Sequence, residues 1–327
     1  MSKKLISDHK EFGLFIGQSQ AMMGVYDKIE RLAPSDTPIF IEGASGTGKE
    51  ICAQALHKYS KREAEPFIVL NCANLTPDFI ESALFGHVKG AYTGASHARD
   101  GAIKKAENGT LFLDEIAELP LTTQAKLLRF CEDFSYQKLG SDTILKANIR
   151  LICATNKNMS DETRQGRFRH DLYYRLYVAP IKMPQLKDRA TDVLNLANYF
   201  LQNYARGLEK NILSFSKNAQ EVLMQYEWPG NVRELENIMR QIVSLENVPL
   251  ILASMLPPKL TNQNTENIQN ITPKTQPYIH LPLWKIEKQA IQHALTLTQE
   301  SVPKAATMLD VAPSTLYRKI KLWQTVS

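Results

Sequence analysis

The stretch Gly43-Ala44-Ser45-Gly46-Thr47-Gly48-Lys49-Glu50 follows the apolar run Ile39-Phe40-Ile41 and opens an amphipathic segment. A strand, a glycine-rich turn and a helix that begins at a lysine form a cradle for phosphate groups. The glycines let consecutive backbone N–H groups turn inward on phosphate oxygens, and the helix N-terminus adds the positive end of its dipole. Lys49 would reach the outer phosphates. The alternative, a glycine-rich surface turn, is much weaker because strand, loop and helix are all present.

One position of this stretch departs from the usual pattern. A Ser or Thr hydroxyl that binds magnesium normally follows the lysine, and here the residue is Glu50. The sequence therefore predicts that magnesium relies on the phosphates, on water and on an acidic side chain elsewhere in the chain.

A second motif supplies such a side chain. The apolar run from Thr110 to Leu113 ends in two acids, Asp114 and Glu115. In phosphate-loop enzymes, magnesium and the attacking water are held at such a strand end. We expect Asp114 to hold magnesium, directly or through water, and Glu115 to orient or deprotonate the water. An exposed acidic strand end is the alternative, which is common for one acid and much less so for two.

Composition limits the class of protein. The 327 residues are enough for two or three domains, and no apolar run approaches the length of a membrane span. We therefore expect a cytoplasmic protein without a membrane partner. The cysteines form no C-x-x-C pair and the histidines no H-E-x-x-H spacing, which favours buried reduced thiols over disulfides or a protein-bound transition metal. The net charge of +5 permits binding to nucleic acid but does not argue for it.

Further patterns predict an α/β fold with a parallel sheet. Short apolar runs at 66–70 and 149–154 suit buried parallel strands, and amphipathic segments lie between the runs. From residue 185 the pattern becomes helical. The predicted regions are a loose tail (1–11), an α/β phosphate-binding region (12–184), a small helical region (185–260), an amide-rich linker (261–282) and a helical C-terminal region (283–327).

The C-terminal region predicts a helix-turn-helix. It combines two short helices, a tight turn, alanines at the helix crossing and a basic last helix, a combination that we interpret as DNA-binding. A generic three-helix bundle with a solvated basic face is the alternative. The predicted DNA contacts are Ser314, Thr315, Tyr317, Arg318, Lys319 and Lys321.

Another loop, Gly90-Ala91-Tyr92-Thr93-Gly94-Ala95, places one aromatic residue among glycines and small residues. A loop of this kind has no core of its own that would bury the ring. We therefore expect Tyr92 to be exposed and to contact another molecule.

Together these motifs make residues 12–260 resemble the AAA+ ATPase domain of bacterial enhancer-binding proteins, the activators of sigma-54 RNA polymerase. Residues 283–322 resemble the Fis-type helix-turn-helix that usually follows that domain. The most diagnostic mark is the loop at 90–95, which matches the Gly-Ala-Phe-Thr-Gly-Ala loop that contacts sigma-54 in the family. The resemblance implies a P-loop ATPase with a helical lid and an all-α DNA-binding domain. Within the family, residues 171–178 look closest to quorum-sensing regulators of the LuxO type.

The resemblance also implies roles for residues near the nucleotide, which the residue pattern alone does not assign. Asn71 matches the asparagine that restrains the catalytic glutamate. Thr155 and Asn156 match the first sensor, and Arg233 matches the second sensor, which ties the lid to the γ-phosphate. The whole of 43–50 would then bind ATP.

Two arginines receive a new interpretation from the resemblance. Chemistry alone favours surface salt bridges for Arg169 and Arg175, whereas the family uses arginines at these positions as fingers that reach the neighbouring subunit's site. The polar stretch 136–146 matches the second pore-facing loop. A ring of subunits, expected to be a hexamer, follows from the resemblance.

Several positions depart from the family pattern. Tyr92 replaces the usual phenylalanine, and Asp310 replaces the turn glycine of the helix-turn-helix at some conformational cost. Pro313 replaces a common arginine but suits a first helical turn. Glu50, in contrast, is normal for the family. Eleven leading residues cannot form the regulatory domain that commonly precedes the ATPase, so we expect a separate regulatory protein, control by abundance, or a longer chain.

The resemblance implies an activator that binds enhancer DNA and uses ATP and magnesium to remodel the closed complex of sigma-54 RNA polymerase. Two alternatives are a DNA-binding repressor with a vestigial ATPase and an unrelated AAA+ remodeller. Intact phosphate-loop, acidic and arginine motifs oppose the first alternative. The loop at 90–95 and the helix-turn-helix oppose the second.

Overall fold

The computed structural model describes residues 11–12, 15–212, 214–261, 283–298, 301–309 and 311–324. Contacts divide the chain into two compact units between residues 263 and 264. The predicted tail except its last residue, the predicted linker after residue 261 and the departure at Asp310 lie outside the described residues.

Short strands and longer helices alternate through the first unit. Its strands are β1 (Glu11–Phe12), β2 (Phe15–Ile16), β3 (Ile39–Glu42), β4 (Phe67–Asn71), β5 (Gly86–His87), β6 (Arg99–Asp100), β7 (Thr110–Asp114), β8 (Ser135–Tyr136), β9 (Leu145–Lys146), β10 (Arg150–Thr155), β11 (Ala179–Lys182), β12 (Ser214–Phe215) and β13 (Leu250–Ile251). Its helices are α1 (Gln20–Leu32), α2 (Lys49–Lys58), α3 (Pro77–Phe85), α4 (Ala102–Lys105), α5 (Leu121–Asp133), α6 (Met159–Arg164), α7 (His170–Leu176), α8 (Ala190–Gly207), α9 (Lys217–Gln225), α10 (Asn231–Leu245) and α11 (Pro258–Thr261).

Five parallel strands form the main sheet in the order β11-β3-β10-β7-β4. The predicted parallel sheet is therefore confirmed. All five strands run in the same direction. The segments that follow β3, β7 and β10 therefore meet beside the carboxyl ends of the strands, where open α/β sheets bind their ligands. The apolar run 66–70 forms the edge strand β4 and is not fully buried, since Val69 is 43% exposed. This edge position corrects the expectation of a buried strand there.

Two apolar cores cover the two faces of the sheet. One contains buried residues from α1 and α2, including Met22, Ile29 and Leu56, and the other packs residues from α3, α5 and α7, including Leu84 and Leu127. The apolar residues that recur at helical spacing in the sequence supply these contacts, as expected for amphipathic helices.

A fully buried arginine fixes the two helices on one face of the sheet. Arg150 donates through Nη1 to the carbonyl of Leu56 in α2 and through Nη2 to that of Leu32 in α1, each at 3.0 Å. A guanidinium is a favourable partner for the carbonyls at a helix C-terminus. Burial is the main reason that the pKa of Arg150 falls to about 10.

The helical region after residue 185 has a core of its own, formed mainly by α8, α9 and α10. Trp228 is buried in it and donates its indole N–H to Leu223 O at 2.9 Å. The short parallel pair β12–β13 closes one end. No helix in the described ranges is long and apolar enough to span a membrane.

The second unit contains helices Leu283–Leu297, Val302–Met308 and Pro313–Gln324. The last helix begins at Pro313, which confirms the expected first-turn proline. The small core of this unit consists of Ile291, Ala294, Ala305, Ala306 and Leu316.

Candidate functional site

The loop between β3 and α2 has the conformation that a phosphate cradle requires. Gly46 and Gly48 adopt φ angles of 77° and 96°, in the left-handed region that favours glycine. Gly43 N donates to Thr155 O at 3.2 Å, which joins the loop to the end of the neighbouring strand β10. The Thr47 hydroxyl donates to Ala44 O at 2.8 Å and closes the turn.

Lys49, the first residue of α2, lies buried between the loop and the predicted catalytic glutamate. Its Nζ donates to Gly43 O at 3.1 Å and lies 3.4 Å from Glu115 Oε1. The other carboxylate oxygen of Glu115 accepts from the backbone N–H of Asn156 at 3.0 Å. Glu115 has a left-handed backbone, with a φ of 52°. The structure thus brings the predicted lysine, the predicted base and the backbone of the predicted first sensor together at the carboxyl ends of the strands.

Asn71 contacts the neighbouring acid instead of the predicted base. Its Nδ2 donates to Asp114 Oδ2 at 2.9 Å, and its Oδ1 accepts from Ala73 N at 2.9 Å. The expected restraint of Glu115 by Asn71 is therefore not the contact that this structure contains. The register explains this, since Asn71 on β4 lies directly opposite Asp114 on β7.

The carboxylate of Asp114 is the kind of oxygen ligand that suits a hydrated magnesium ion brought with a nucleotide. Burial, followed by the charge of Glu115, raises the pKa of Asp114, while Lys49 opposes that rise. A divalent cation next to the carboxylate would favour its ionised form. The side chain of Glu50 is exposed and accepts from Gln54 Nε2 at 3.3 Å.

Residues of the helical region complete the site from the other side. Arg233, at the start of α10, donates through Nη1 to Ser45 Oγ at 2.9 Å. Val232 N donates to Gly46 O at 3.0 Å. A Cβ on Gly46 would lie 2.4 Å from Gly230 O, so only glycine allows this approach. The helical region therefore contacts the phosphate loop directly.

Two residues that the sequence pattern did not single out hold this contact together. Asn231 is buried, donates to Ser45 O at 3.0 Å and accepts from Leu186 N at 2.9 Å. Arg189 is also buried and donates to Thr47 O at 3.1 Å. Asn231 also has a positive φ of 53°.

The phosphate loop, the two acids that follow each other at the end of β7 and the start of α10 line a cleft of about 270 Å³. The cleft is mainly polar, and both cationic and anionic side chains line it. Its lining includes Ser45, Gly46, Gly48, Lys49, Glu50, Asp114, Glu115 and Arg233.

The two predicted fingers lie at opposite ends of the short helix α7. Arg169 is 42% exposed and makes a bidentate contact with Asp171, with distances of 3.0 and 2.7 Å. Arg175 donates through Nε to Cys131 O at 2.9 Å. Within this subunit, both arginines therefore contact groups outside the cleft.

Tyr92 is half-buried, which corrects the expectation of an exposed ring without a contact in its own domain. The ring lies edge-on to His87, with a centroid distance of 5.1 Å, and to Phe79, at 6.2 Å. Phe79 is itself 54% exposed. The loop is closed by the hydrogen bond from Gly90 N to Ala95 O at 2.9 Å.

The stretch 136–146 forms a hairpin-type loop, because β8 pairs antiparallel with β9. It packs on the loop at 90–95. A Cβ on Gly140 would lie 2.9 Å from that of Ala91, and Leu139 N donates to Gly86 O at 2.9 Å. The two loops are thus a single packed structure.

The predicted DNA contacts fall into two groups on the last helix. Ser314, Tyr317, Arg318 and Lys321 are exposed and recur at the i, i+3, i+4, i+7 spacing of a single helix face. Lys319 instead forms an ion pair with Glu287 of the first helix of this unit, and Thr315 is partly buried. The structure therefore separates Lys319 from the exposed basic face.

Three family models match this chain. Residues 15–182 match the sigma-54 interaction domain. Residues 187–272 match the AAA+ ATPase lid domain, and residues 282–323 match the Fis family of bacterial regulatory proteins.

Individual relatives match nearly the whole chain. The regulatory protein LuxO of Vibrio cholerae is 48% identical, over 94% of this chain and 69% of the relative. The transcriptional regulatory protein ZraR of Escherichia coli is 39% identical, over 95% of this chain and 68% of the relative. The crystal structure of NtrX from Brucella abortus in complex with ATP is similar, with a TM-score of 0.68 and 31% identity, over 94% of this chain and 69% of that one.

Fold and site together define an AAA+ P-loop NTPase whose helical lid contacts the phosphate loop, followed by a helix-turn-helix region of the Fis type. The chain belongs to the family of sigma-54-dependent transcriptional regulators. The resemblance stated from the sequence is therefore confirmed at the level of the family and its fold.

Proposed function

We propose that this protein is an ATP-driven activator that works in the cytoplasm. It binds enhancer DNA through its second unit, assembles into a ring, expected to be a hexamer, and remodels the closed complex of sigma-54 RNA polymerase. One observation carries this proposal. The cleft joins Lys49, Glu115 and Arg233 in a chain that also contains the sigma-54 interaction domain and the Fis-type region.

ATP is the ligand that the cleft fits, and the similarity to NtrX, which was crystallised with ATP, supports this assignment. The loop N–H groups and the start of α2 would bind the phosphate oxygens. The Lys49 ammonium, which now donates to Gly43 O, would gain an anionic acceptor. Arg233 would transfer from Ser45 Oγ to the γ-phosphate, so that closure of the lid depends on the nucleotide.

Glu115 is the proposed base. It would orient a water molecule for attack on the γ-phosphorus and take up its proton, which requires it to exchange its contacts with Lys49 and Asn156 N. Asp114 and the phosphate oxygens would hold magnesium, which neutralises the charge that develops on the transferring phosphoryl group.

A ring would complete the site. Arg169 and Arg175 point to groups outside the cleft of their own subunit. We propose that they serve the neighbouring subunit's nucleotide, where a guanidinium stabilises charge on the phosphoryl group. The contact between Arg169 and Asp171 lies at the surface, where ion pairs contribute little to stability, so Arg169 can exchange Asp171 for another partner.

Mixed rings provide the test of a shared site. Subunits with Arg169→Ala keep their own phosphate loop, whereas subunits with Lys49→Ala keep the finger. Each variant alone should lose about 10³-fold or more of the ATPase rate, and a mixture should recover part of it. An ATPase rate that is first order in protein concentration, without recovery on mixing, would refute the ring. Absence of ATPase activity in the wild type at every concentration would instead favour the repressor with a vestigial ATPase.

The loop at 90–95 is the proposed sigma-54 contact. Tyr92→Ala should leave hydrolysis largely intact and abolish promoter opening, whereas Tyr92→Phe keeps the ring against His87 and should retain opening. Unchanged opening with Tyr92→Ala would contradict this role. Control by a separate regulatory protein remains part of the proposal.

A further inference from the structure

A hydrogen bond joins the strand that enters the phosphate loop to the helix that carries both predicted fingers. The Tyr177 hydroxyl donates to Glu42 Oε2 at 3.1 Å. Glu42 is the last residue of β3 and directly precedes Gly43, where the loop begins. Tyr177 is the C-terminal cap of α7 and lies two residues after Arg175.

Aromatic packing makes this contact part of a continuous structure. The Tyr177 ring lies 5.4 Å from Phe40 of β3 and 4.8 Å from Tyr173 of α7, measured between centroids. Phe40 is fully buried. The helix α7 is only seven residues long, which corresponds to about 10 Å at 1.5 Å per residue. A displacement at Tyr177 therefore reaches Arg175, two residues away, directly and reaches Arg169 across about two turns.

The phosphate loop also contains a group that must change partner when phosphate binds. The Lys49 ammonium donates to Gly43 O, the carbonyl next to Glu42. An anionic phosphate oxygen is a stronger acceptor than a peptide carbonyl. Nucleotide binding would thus remove the ammonium from the carbonyl of Gly43, the residue that follows Glu42.

We propose that Glu42 and Tyr177 are positioning residues that link nucleotide occupancy of a subunit's own site to the delivery of its arginine fingers to the next site. This inference rests on the proposed shared ATPase site and adds a direction to it. A subunit that holds nucleotide presents its fingers more effectively than an empty subunit does.

Two kinds of donor subunit test this link. The acceptor is Arg169→Ala, which has an intact phosphate loop and lacks the Arg169 finger. One donor is Glu115→Gln, which binds nucleotide without hydrolysing it, and the other is Lys49→Ala, which stays empty. The occupied donor should stimulate the acceptor's ATPase rate about tenfold more than the empty donor, a factor typical of one hydrogen bond to a charged group.

Tyr177→Phe in both donors then removes the hydroxyl and keeps the ring on Phe40 and Tyr173. We then expect the two donors to stimulate the acceptor's ATPase rate equally, within about twofold. Glu42→Ala should have the same effect, with no further loss in the double variant, because both changes remove the same bond. Glu42→Gln keeps an acceptor oxygen at the same place and should preserve the difference between donors.

The outcomes separate the two levels of the proposal. If neither donor stimulates the acceptor, the shared site itself is overturned, and the link with it. If both donors stimulate equally in the wild-type background, or if the difference persists in Tyr177→Phe, the shared site stands and the link between Glu42 and Tyr177 is refuted. Thermal unfolding of Tyr177→Phe and Glu42→Gln identifies a loss that comes from stability alone.

Discussion

Asn71 Nδ2 donates to Asp114 Oδ2 at 2.9 Å, whereas the adjacent Glu115 contacts Lys49 and the backbone N–H of Asn156. The two neighbouring acids thus have separate sets of partners. The amide of Asn71 favours the ionised form of Asp114, in opposition to burial and to the charge of Glu115, which raise the pKa of Asp114. In this structure, Asn71 therefore acts on the proposed magnesium ligand and not on the proposed base.

Asn71→Ala should move the acid limb of the ATPase pH profile to higher pH. A hydrogen bond donated to a carboxylate favours its ionised form, so loss of the donor favours the protonated form. Because the pKa of Asp114 rises when the donor is lost, ionisation of this carboxylate then requires a higher pH. Measurement of kcat/KM from about pH 5 to 8 checks this. Asn74→Ala, which removes a nearby exposed amide, is the control and should leave the limb in place.

Gly46→Ala should separate the lid from the phosphate loop. The new Cβ would lie 2.4 Å from Gly230 O, and the φ of 77° is unfavourable for alanine. We expect a loss of about 1–3 kcal/mol in the free energy of unfolding and weaker binding of a fluorescent ATP analogue. Denaturant unfolding and a binding titration provide the two measurements.

Gly24→Ala is the matched control for that change. Gly24 lies within α1, and a Cβ there would meet nothing within 4 Å. Alanine in a helix interior should stabilise the protein by about 0.5–1 kcal/mol and leave nucleotide binding unchanged. If both glycine variants behave alike, the close approach of the lid to Gly46 does not matter.

Some elements of this protein follow from local sequence patterns alone. The phosphate loop, the strand ending at Asp114 and the last helix beginning at Pro313 were predictable, because each depends on neighbours in the chain. The partner of Asn71 was not, because it follows from the register between β4 and β7. The same holds for Arg150, which contacts the ends of two helices distant in sequence.

The loop at 90–95 illustrates a different limit. Its composition predicted an exposed ring, yet the Tyr92 ring packs against His87 and Phe79, which precede the quoted motif. These two side chains come from α3 and β5, and the order of elements alone does not place them beside the loop. Similarly, the periodicity of the last helix did not reveal that Lys319 contacts Glu287.

Acid should destabilise the protein through His57. Its Nδ1 lies 2.9 Å from Thr110 Oγ1, and its pKa is lowered from 6.5, first by burial and then by the charge of Arg150. A lowered folded-state pKa means that the unfolded chain binds more protons near pH 6.5. The contribution of neutral His57 to the free energy of unfolding is therefore complete above that pH, and it is lost as the pH falls through the folded-state pKa of His57.

His57→Gln should make the free energy of unfolding less dependent on pH below 6.5. Glutamine offers a polar group to Thr110 but cannot take up the proton. Urea unfolding at several pH values between about 5 and 8 measures the slope. His97→Gln, at an exposed position, should retain the wild-type slope. Equal slopes for wild type and His57→Gln would show that His57 is not the group responsible.

DNA binding should depend more on Arg318 than on Lys319. Arg318 is on the exposed face of the last helix, whereas the charge of Lys319 is already paired with Glu287. Arg318→Ala should weaken binding to a duplex of mixed sequence and lower the slope of log K against log salt by about one, the effect of one lost phosphate contact. Lys319→Ala should change that slope by much less, because an ammonium held by a carboxylate displaces fewer counterions from DNA. Fluorescence anisotropy at several salt concentrations measures both slopes.

The contrary outcome is an equal decrease of the slope in the two variants. In that case the ion pair with Glu287 opens when DNA binds, and the basic face of this helix includes Lys319, as the sequence predicted.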